Sequence, residues 1–299
     1  MRSPRTPRGL PGELLMSIVA ILWGSAFPVT RILLEEMPPL GAAAWRTLFA
    51  AGGVALLVAL RSGPGQLWPA GTRRGRLALL AVLGGAIFVI GMNLGVALTG
   101  ASITSFVTGT YPLLAVVVAT VVLREHLPRP ALLALVAAAI GLALLARPGG
   151  AHVELLGVAA GLMAAFSFAV YLVLARRWAD PERLPALTLA FWLLVSSVVV
   201  TGLGQLVVDP AGLVPDLSLT GWAALLWLAL PASALPHSLL IVTMRRLPAN
   251  RAAPFLLLMP ISGSLIAAVL LNERLDLLQL AGAGLILAGI AAATLPARR

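Results

Sequence analysis

Few side chains able to do chemistry lie inside the apolar stretches of this chain. His237 follows Pro236 deep in one such stretch; it could bind a carboxylate or titrate near neutral pH, or its ring could be satisfied by a carbonyl that the proline frees. Asn93 offers donors and an acceptor to a solute, or an ordinary bond between helices. Arg46 could capture a carboxylate or phosphate. The favoured reading for Arg46 and Arg31 is that they snorkel or pair with Glu35 or Glu36. Trp23, Tyr111, Tyr171 and Trp192 could wall a pocket for an apolar or aromatic body, or simply pack. Pro112 and Pro260 each remove a backbone donor and free a carbonyl one turn earlier, which could face a cavity or only kink a helix.

This set suits binding and passage of a small solute better than bond-making. There is no cysteine, and the three histidines are scattered, with His126 and His152 in connections and His237 alone. All 11 acidic residues fall in tails, connections or the ends of apolar stretches. No nucleophile–base pair and no metal-ligand cluster can be assembled at depth, so no catalytic residue, metal or cofactor is expected. The missing mid-span carboxylate also argues against coupling to protons or sodium through such a group, which leaves facilitated diffusion or exchange, with His237 as the only remaining titrating candidate.

The elements that must hold these residues follow from composition. The chain is 60% hydrophobic and 11% charged, with a mean hydropathy of +1.00. Apolar runs of about 20 residues, each enough to cross a bilayer core as a helix, recur along its length. We count ten, at roughly 14–34, 40–60, 77–98, 102–123, 131–146, 155–175, 185–207, 220–243, 251–271 and 277–296. The fifth is short, and the eighth is interrupted by Pro231 and Pro236. The first run continues to Leu34 without a small-residue cleavage site and reads as a span, not a removed signal peptide. The expected fold is an all-α polytopic membrane protein, with the lipid bilayer as a partner.

The net charge of +10 comes entirely from arginine. Of the 21, 17 lie in the tails and in the connections after the second, fourth, sixth and eighth runs. The opposite connections hold only Arg147 and Arg274. By the positive-inside rule both termini are expected in the cytoplasm, and the basic residues are topology signals that give no ground for nucleic-acid binding. Trp68, Trp178 and Trp222 lie near span ends and read as interface anchors.

One stretch is written twice. Tyr111-Pro112, Leu123-Arg124-Glu125, Gly141 and Pro148 recur at a shift of about 148 residues as Met259-Pro260, Leu271-Asn272-Glu273, Gly289 and Pro296. The fronts echo at another shift, Glu13-Leu14-Leu15 in Glu154-Leu155-Leu156. Residues 1–150 and 151–299 then form two five-helix repeats. An odd number of spans per repeat inverts the second copy, and inverted repeats with a midplane site between them are the usual plan of secondary transporters. Glu125 and Glu273 end equivalent spans and are expected to be gates or, preferably, helix-end anchors. Gly24, Gly109 and Gly263 are candidate hinges.

The chain resembles the EamA-type ten-helix carriers of the drug/metabolite transporter superfamily. The resemblance rests on Trp23-Gly24-Ser25-Ala26-Phe27, on Pro39 through Arg46, on Tyr111-Pro112 through Glu125-His126-Leu127 to Gly141, and on Pro260 through Glu273-Arg274-Leu275 to Gly289. It implies a bacterial inner-membrane carrier that exports small metabolites, often amino acids, aromatic ones among them. Sugar-phosphate or nucleotide-sugar exchange is the alternative within the superfamily, and a non-transporting scaffold the alternative outside it. Polyanions call for several basic residues facing the cavity, whereas only Arg46 and Arg31 are available, so a neutral or zwitterionic solute with an apolar side chain suits the lining better. Neither the exact solute nor the oligomeric state can be read from the residues.

Overall fold

A computed structural model describes residues 11–68, 74–124, 129–145, 155–178, 184–244, 246–247 and 252–294. Glu125, His126, Leu127, Pro148, His152 and Pro296 lie outside the described residues. The described chain is helical with short connections, as lipid demands, since a helix satisfies its backbone polar groups within itself.

Helix α1 is Gly12–Leu33, α2 is Pro39–Ser62, α3 is Arg74–Thr99 and α4 is Ala101–Val122. Helix α5 is Arg129–Leu145, α6 is Leu155–Trp178 and α7 is Ala186–Val208. Helix α8 comprises Leu219–Ala229, a π turn over Leu230–Ala234 and Leu235–Met244. Helix α9 enters through a 3₁₀ turn at Ala253–Leu257 and continues as Leu258–Leu270, and α10 is Leu277–Thr294. Seven of these are 22–26 residues long and apolar enough to cross a membrane, and three shorter apolar helices fall in α5, α9 and α10. The expected interruption of the eighth span is no break: the π turn absorbs Pro231, and the helix carries on past Pro236.

The duplication is legible in the backbone. The π turn of α3 begins at Val82 and that of α8 at Leu230, 148 residues later. Among the described residues, the two positive-φ positions other than glycine are Arg124 (57°) and Asn272 (52°), also 148 apart. Helix packing obeys the same exchange. Helix α5 packs on α10 and α2 on α7, each the other's counterpart; α3 packs on α6 as α8 packs on α1, and α4 on α6 as α9 on α1. Small residues make these approaches close. A Cβ on Gly141 would lie 2.5 Å from the Gly282 carbonyl oxygen, and its image, a Cβ on Gly289, would lie 2.8 Å from that of Ala134. With lipid as apolar as the side chains, close packing and not apolar burial holds such helices together. Of the candidate hinges, Gly24 faces Met259, Ser262 and Gly263 across the α1–α9 contact, so these two glycines are points of close approach; Gly109 sits at the break in α4, against Pro260.

The arginine-poor end of the bundle is knitted across the halves. Three helix N-termini there have backbone donors that need partners, and each receives a side chain from the other half. Gln205 of α7 accepts from Gly41 N of α2 at 3.2 Å. Glu273 accepts from Ala101 N and Ser102 N of α4, both at 2.8 Å. Glu36 accepts from Ser218 N and Ser218 Oγ, both at 2.7 Å, and Ser218 is the N-cap of α8. These bonds hold the carboxyl of Glu36, which lies between α1 and α2, below the usual carboxylate range; the Ser218 hydroxyl is the larger cause. Glu273 is thus a helix-end anchor that also bridges the halves.

Candidate functional site

A cavity of about 90 Å³ lies at mid-depth between the two halves. About half of its lining comes in equivalent pairs. The π turns supply Gly84 and Gly85 from α3, and Ala232 and Ser233 from α8, at the same shift of 148. Val89 is matched by His237, and Tyr111 by Met259. From α1 and α6 come Phe27 and Phe168, related by the shift of 141 that relates Glu13 to Glu154. A π turn inserts a residue and redirects the side chains after it, a device common at functional sites. Here it occurs twice and points both helices at one space.

Trp23, Phe27, Phe88, Tyr111 and Phe168 give the wall an aromatic component. Phe168 meets Phe88 at 4.9 Å between ring centroids and Tyr111 at 5.1 Å, the latter edge-on. Trp23 stands edge-on to His237 at 6.0 Å. The His237 Nδ1 lies 2.6 Å from the Ser233 carbonyl, which must accept, so Nδ1 carries the hydrogen.

Among the described residues, Arg46 is the one arginine in the lining and no carboxylate lines the space. It is 6% exposed. Its Nε and Nη2 share a single hydroxyl, Ser233 Oγ, at 3.4 Å each, and Nη1 has no partner. The expected pairing with Glu35 or Glu36 is not made: Glu36 is engaged by Ser218, at the end of the bundle. Nor does Arg46 snorkel, since it is buried. Arg31, in contrast, donates to the Ala97 carbonyl at 3.2 Å, near the arginine-poor end.

Of the residues expected at a site, Trp23, Arg46, Tyr111 and His237 are brought together around the cavity. The others are not in its lining, although Tyr171 touches the lining ring of Phe168 at 5.3 Å between centroids. Tyr171 packs beneath the α3 π turn, where a Cβ on Gly84 would meet its ring at 2.6 Å. Trp192 donates to the Leu67 carbonyl at 2.8 Å and stacks edge-on against the exposed Trp68. Asn93 donates to the Pro39 carbonyl at 2.9 Å, and its Oδ1 is buried without a partner. Pro112 is half-buried in α4, and Pro260 packs against Gly109 with its carbonyl 3.4 Å from Ser105 Oγ. Phe27, Phe88, Phe168, Ser197 and Ser233 are lining residues that sequence reasoning missed. Applying the 148-residue shift to His237 would have drawn attention to Val89 and the Gly84-Gly85 pair beside it.

A bundle of paired five-helix halves, enclosing a mid-depth cavity between matching helix irregularities, is the architecture of a membrane carrier. The chain belongs to the EamA-like transporter family, whose pattern matches it twice, over residues 10–147 and 155–295. It is 30% identical over 283 residues to a probable amino-acid metabolite efflux pump of Salmonella typhimurium, covering 92% of each chain. A protein of the same description in Escherichia coli is 28% identical over 92% of each chain. The PecM protein of Dickeya dadantii is 29% identical over 72% of this chain and 69% of its own. A crystal structure with 21% identity superposes with a TM-score of 0.65 over 95% of this chain and 96% of that one, which establishes a shared fold.

Proposed function

We propose that this protein exports amino acids or close relatives of them, with apolar or aromatic bodies, across the bacterial inner membrane. The observation that carries this reading is the mid-depth cavity, walled by Trp23, Phe27, Phe88, Tyr111 and Phe168 and holding the buried Arg46. The relatives described as amino-acid metabolite efflux pumps support it. A single lining arginine suits one carboxylate; it would leave much of a phosphomonoester's or nucleotide sugar's charge unmatched, which weighs against exchange of such anions. The halves, residues 1–150 and 151–299, rock about the cavity, and the arginine-rich end with both termini faces the cytoplasm. Among the described residues no carboxylate lines the cavity, which supports uniport or exchange and leaves His237 as the candidate for any proton coupling.

The test is counterflow in proteoliposomes. Vesicles loaded with L-phenylalanine or L-leucine should take up labelled L-phenylalanine, and vesicles loaded with glucose 6-phosphate should not. Counterflow only with the sugar phosphate would replace this reading by the alternative. Accumulation driven by a pH gradient alone, undiminished in His237→Ala, would defeat the uncoupled mechanism.

A further inference from the structure

We infer that Arg46 is the docking point for a substrate carboxylate, and that the site requires this carboxylate while dispensing with the α-amino group. The inference rests on the cavity being the solute site and names the class of solute it takes.

A guanidinium carries five N–H donors in a planar fork that matches a carboxylate. In Arg46 the available protein acceptor is the Ser233 hydroxyl, held at 3.4 Å from two nitrogens. That hydroxyl already gives its own hydrogen to the Leu228 carbonyl at 2.7 Å. Among the described residues, Nη1 is buried without any acceptor. A buried charge so poorly paired is costly, and proteins retain one where a ligand completes it. The orphaned nitrogen is itself sealed from the open space but belongs to a residue that lines the cavity, so a small rotation of the guanidinium would offer its unused donor to an anion there.

The rest of the lining restricts what can be attached to that anion. The other polar side chains are Trp23, Thr47, Tyr111, Ser197, Ser233 and His237. None is a carboxylate, so an ammonium group finds no opposite charge and must lose water beside a guanidinium. A carboxylate on an apolar ring-bearing body therefore satisfies both the arginine and the aromatic wall. A compound with the amine alone still fits the aromatic wall but leaves the arginine unpaired and sets a second positive charge beside it.

The experiment is competition against labelled 3-phenylpropionate on the full chain in detergent, with unlabelled 3-phenylpropionate, L-phenylalanine and phenethylamine. The acid should bind at least as tightly as the amino acid, and phenethylamine should be about 10- to 100-fold weaker, the range expected for loss of a charge-assisted bidentate contact. Arg46→Gln should lose acid binding by a similar factor, and Arg46→Lys should recover part of it, because the charge returns without the fork. The ligand series in the unaltered chain decides the question even if a variant misfolds. Phenethylamine competing as well as the acid, or folded Arg46→Gln binding the acid with unchanged affinity, overturns the inference and leaves the cavity as a solute site. Binding of none of the three by the unaltered chain sinks the cavity reading itself.

Discussion

Glu273 should act as a latch whose removal opens the arginine-poor end. Its carboxylate accepts from Ala101 N and Ser102 N at 2.8 Å each, at the positive end of α4. Hydrogen bonds to a charged group contribute about 1.5–3 kcal/mol each. Glu273 is half-buried, so the lower figure applies and the pair amounts to about 3 kcal/mol. In Glu273→Gln the amide oxygen can still accept, but without charge, which retains about 1 kcal/mol. The difference of about 2 kcal/mol corresponds to roughly a 30-fold shift toward the open state. Gly100→Ala should act in the same direction by another route, since φ is +86° there and a Cβ would lie 2.9 Å from the Glu273 Oε1. The protein has no cysteine, so a single reporter can be introduced without background. Ser102→Cys is suited to this: the serine is 2% exposed, and it borders the open groove that also contains Arg31, Glu273 and Arg274. A membrane-impermeant maleimide should modify it about 10- to 30-fold faster in the Gln background. A rate within twofold of the parent, with transport intact, would refute the latch.

Two further outcomes follow from the same geometry. Glu36 has its carboxyl held below the usual range by Ser218, so the bond's contribution is fully present above the unfolded carboxylate pKa of about 4.3 and is lost as pH falls through the lower folded value. Protection of the Ser218 amide against hydrogen exchange, corrected for the intrinsic pH dependence, should therefore drop on acidification below about pH 4, and Glu36→Gln should abolish that pH dependence. Gly141→Val would drive a side chain into the Gly282 backbone, whose carbonyl oxygen lies 2.5 Å from the position of the added Cβ. It should destabilise the bundle by about 1–3 kcal/mol, seen as a lower thermal midpoint in detergent.

Much of the architecture was legible because periodic apolar runs and duplicated prolines, glycines and glutamates are strong signals. The shift seen in Pro112 and Pro260 is the shift of the π turns, which no residue announces: Gly84-Gly85 and Ala232-Ser233 look like ordinary small residues in a span. The site was half legible. Trp23, Tyr111 and His237 stand out from aliphatic surroundings, whereas Phe27, Phe88 and Phe168 are chemically like residues that face lipid, and only the fold shows that they converge. Sequence distance made Glu35 and Glu36 natural partners for Arg46. The cross-half cap at Ser218 removes Glu36, and the crossing of α2 with α8 turns the arginine inward toward Ser233. Trp192 and Tyr171 lie within spans, but Trp192 is held by the Leu67 carbonyl and Tyr171 stands behind Gly84 and Phe168, which line the cavity in its place.

The measurement that bears most directly on a solute site between the halves is protection of a cavity cysteine. Ser197 is fully buried in α7 and lines the cavity, and Ser197→Cys changes little in size. A transported solute should slow maleimide modification of that cysteine saturably, with half-protection at the concentration that half-saturates transport. Unchanged modification in a variant that still transports the solute would place the pathway elsewhere and contradict the account.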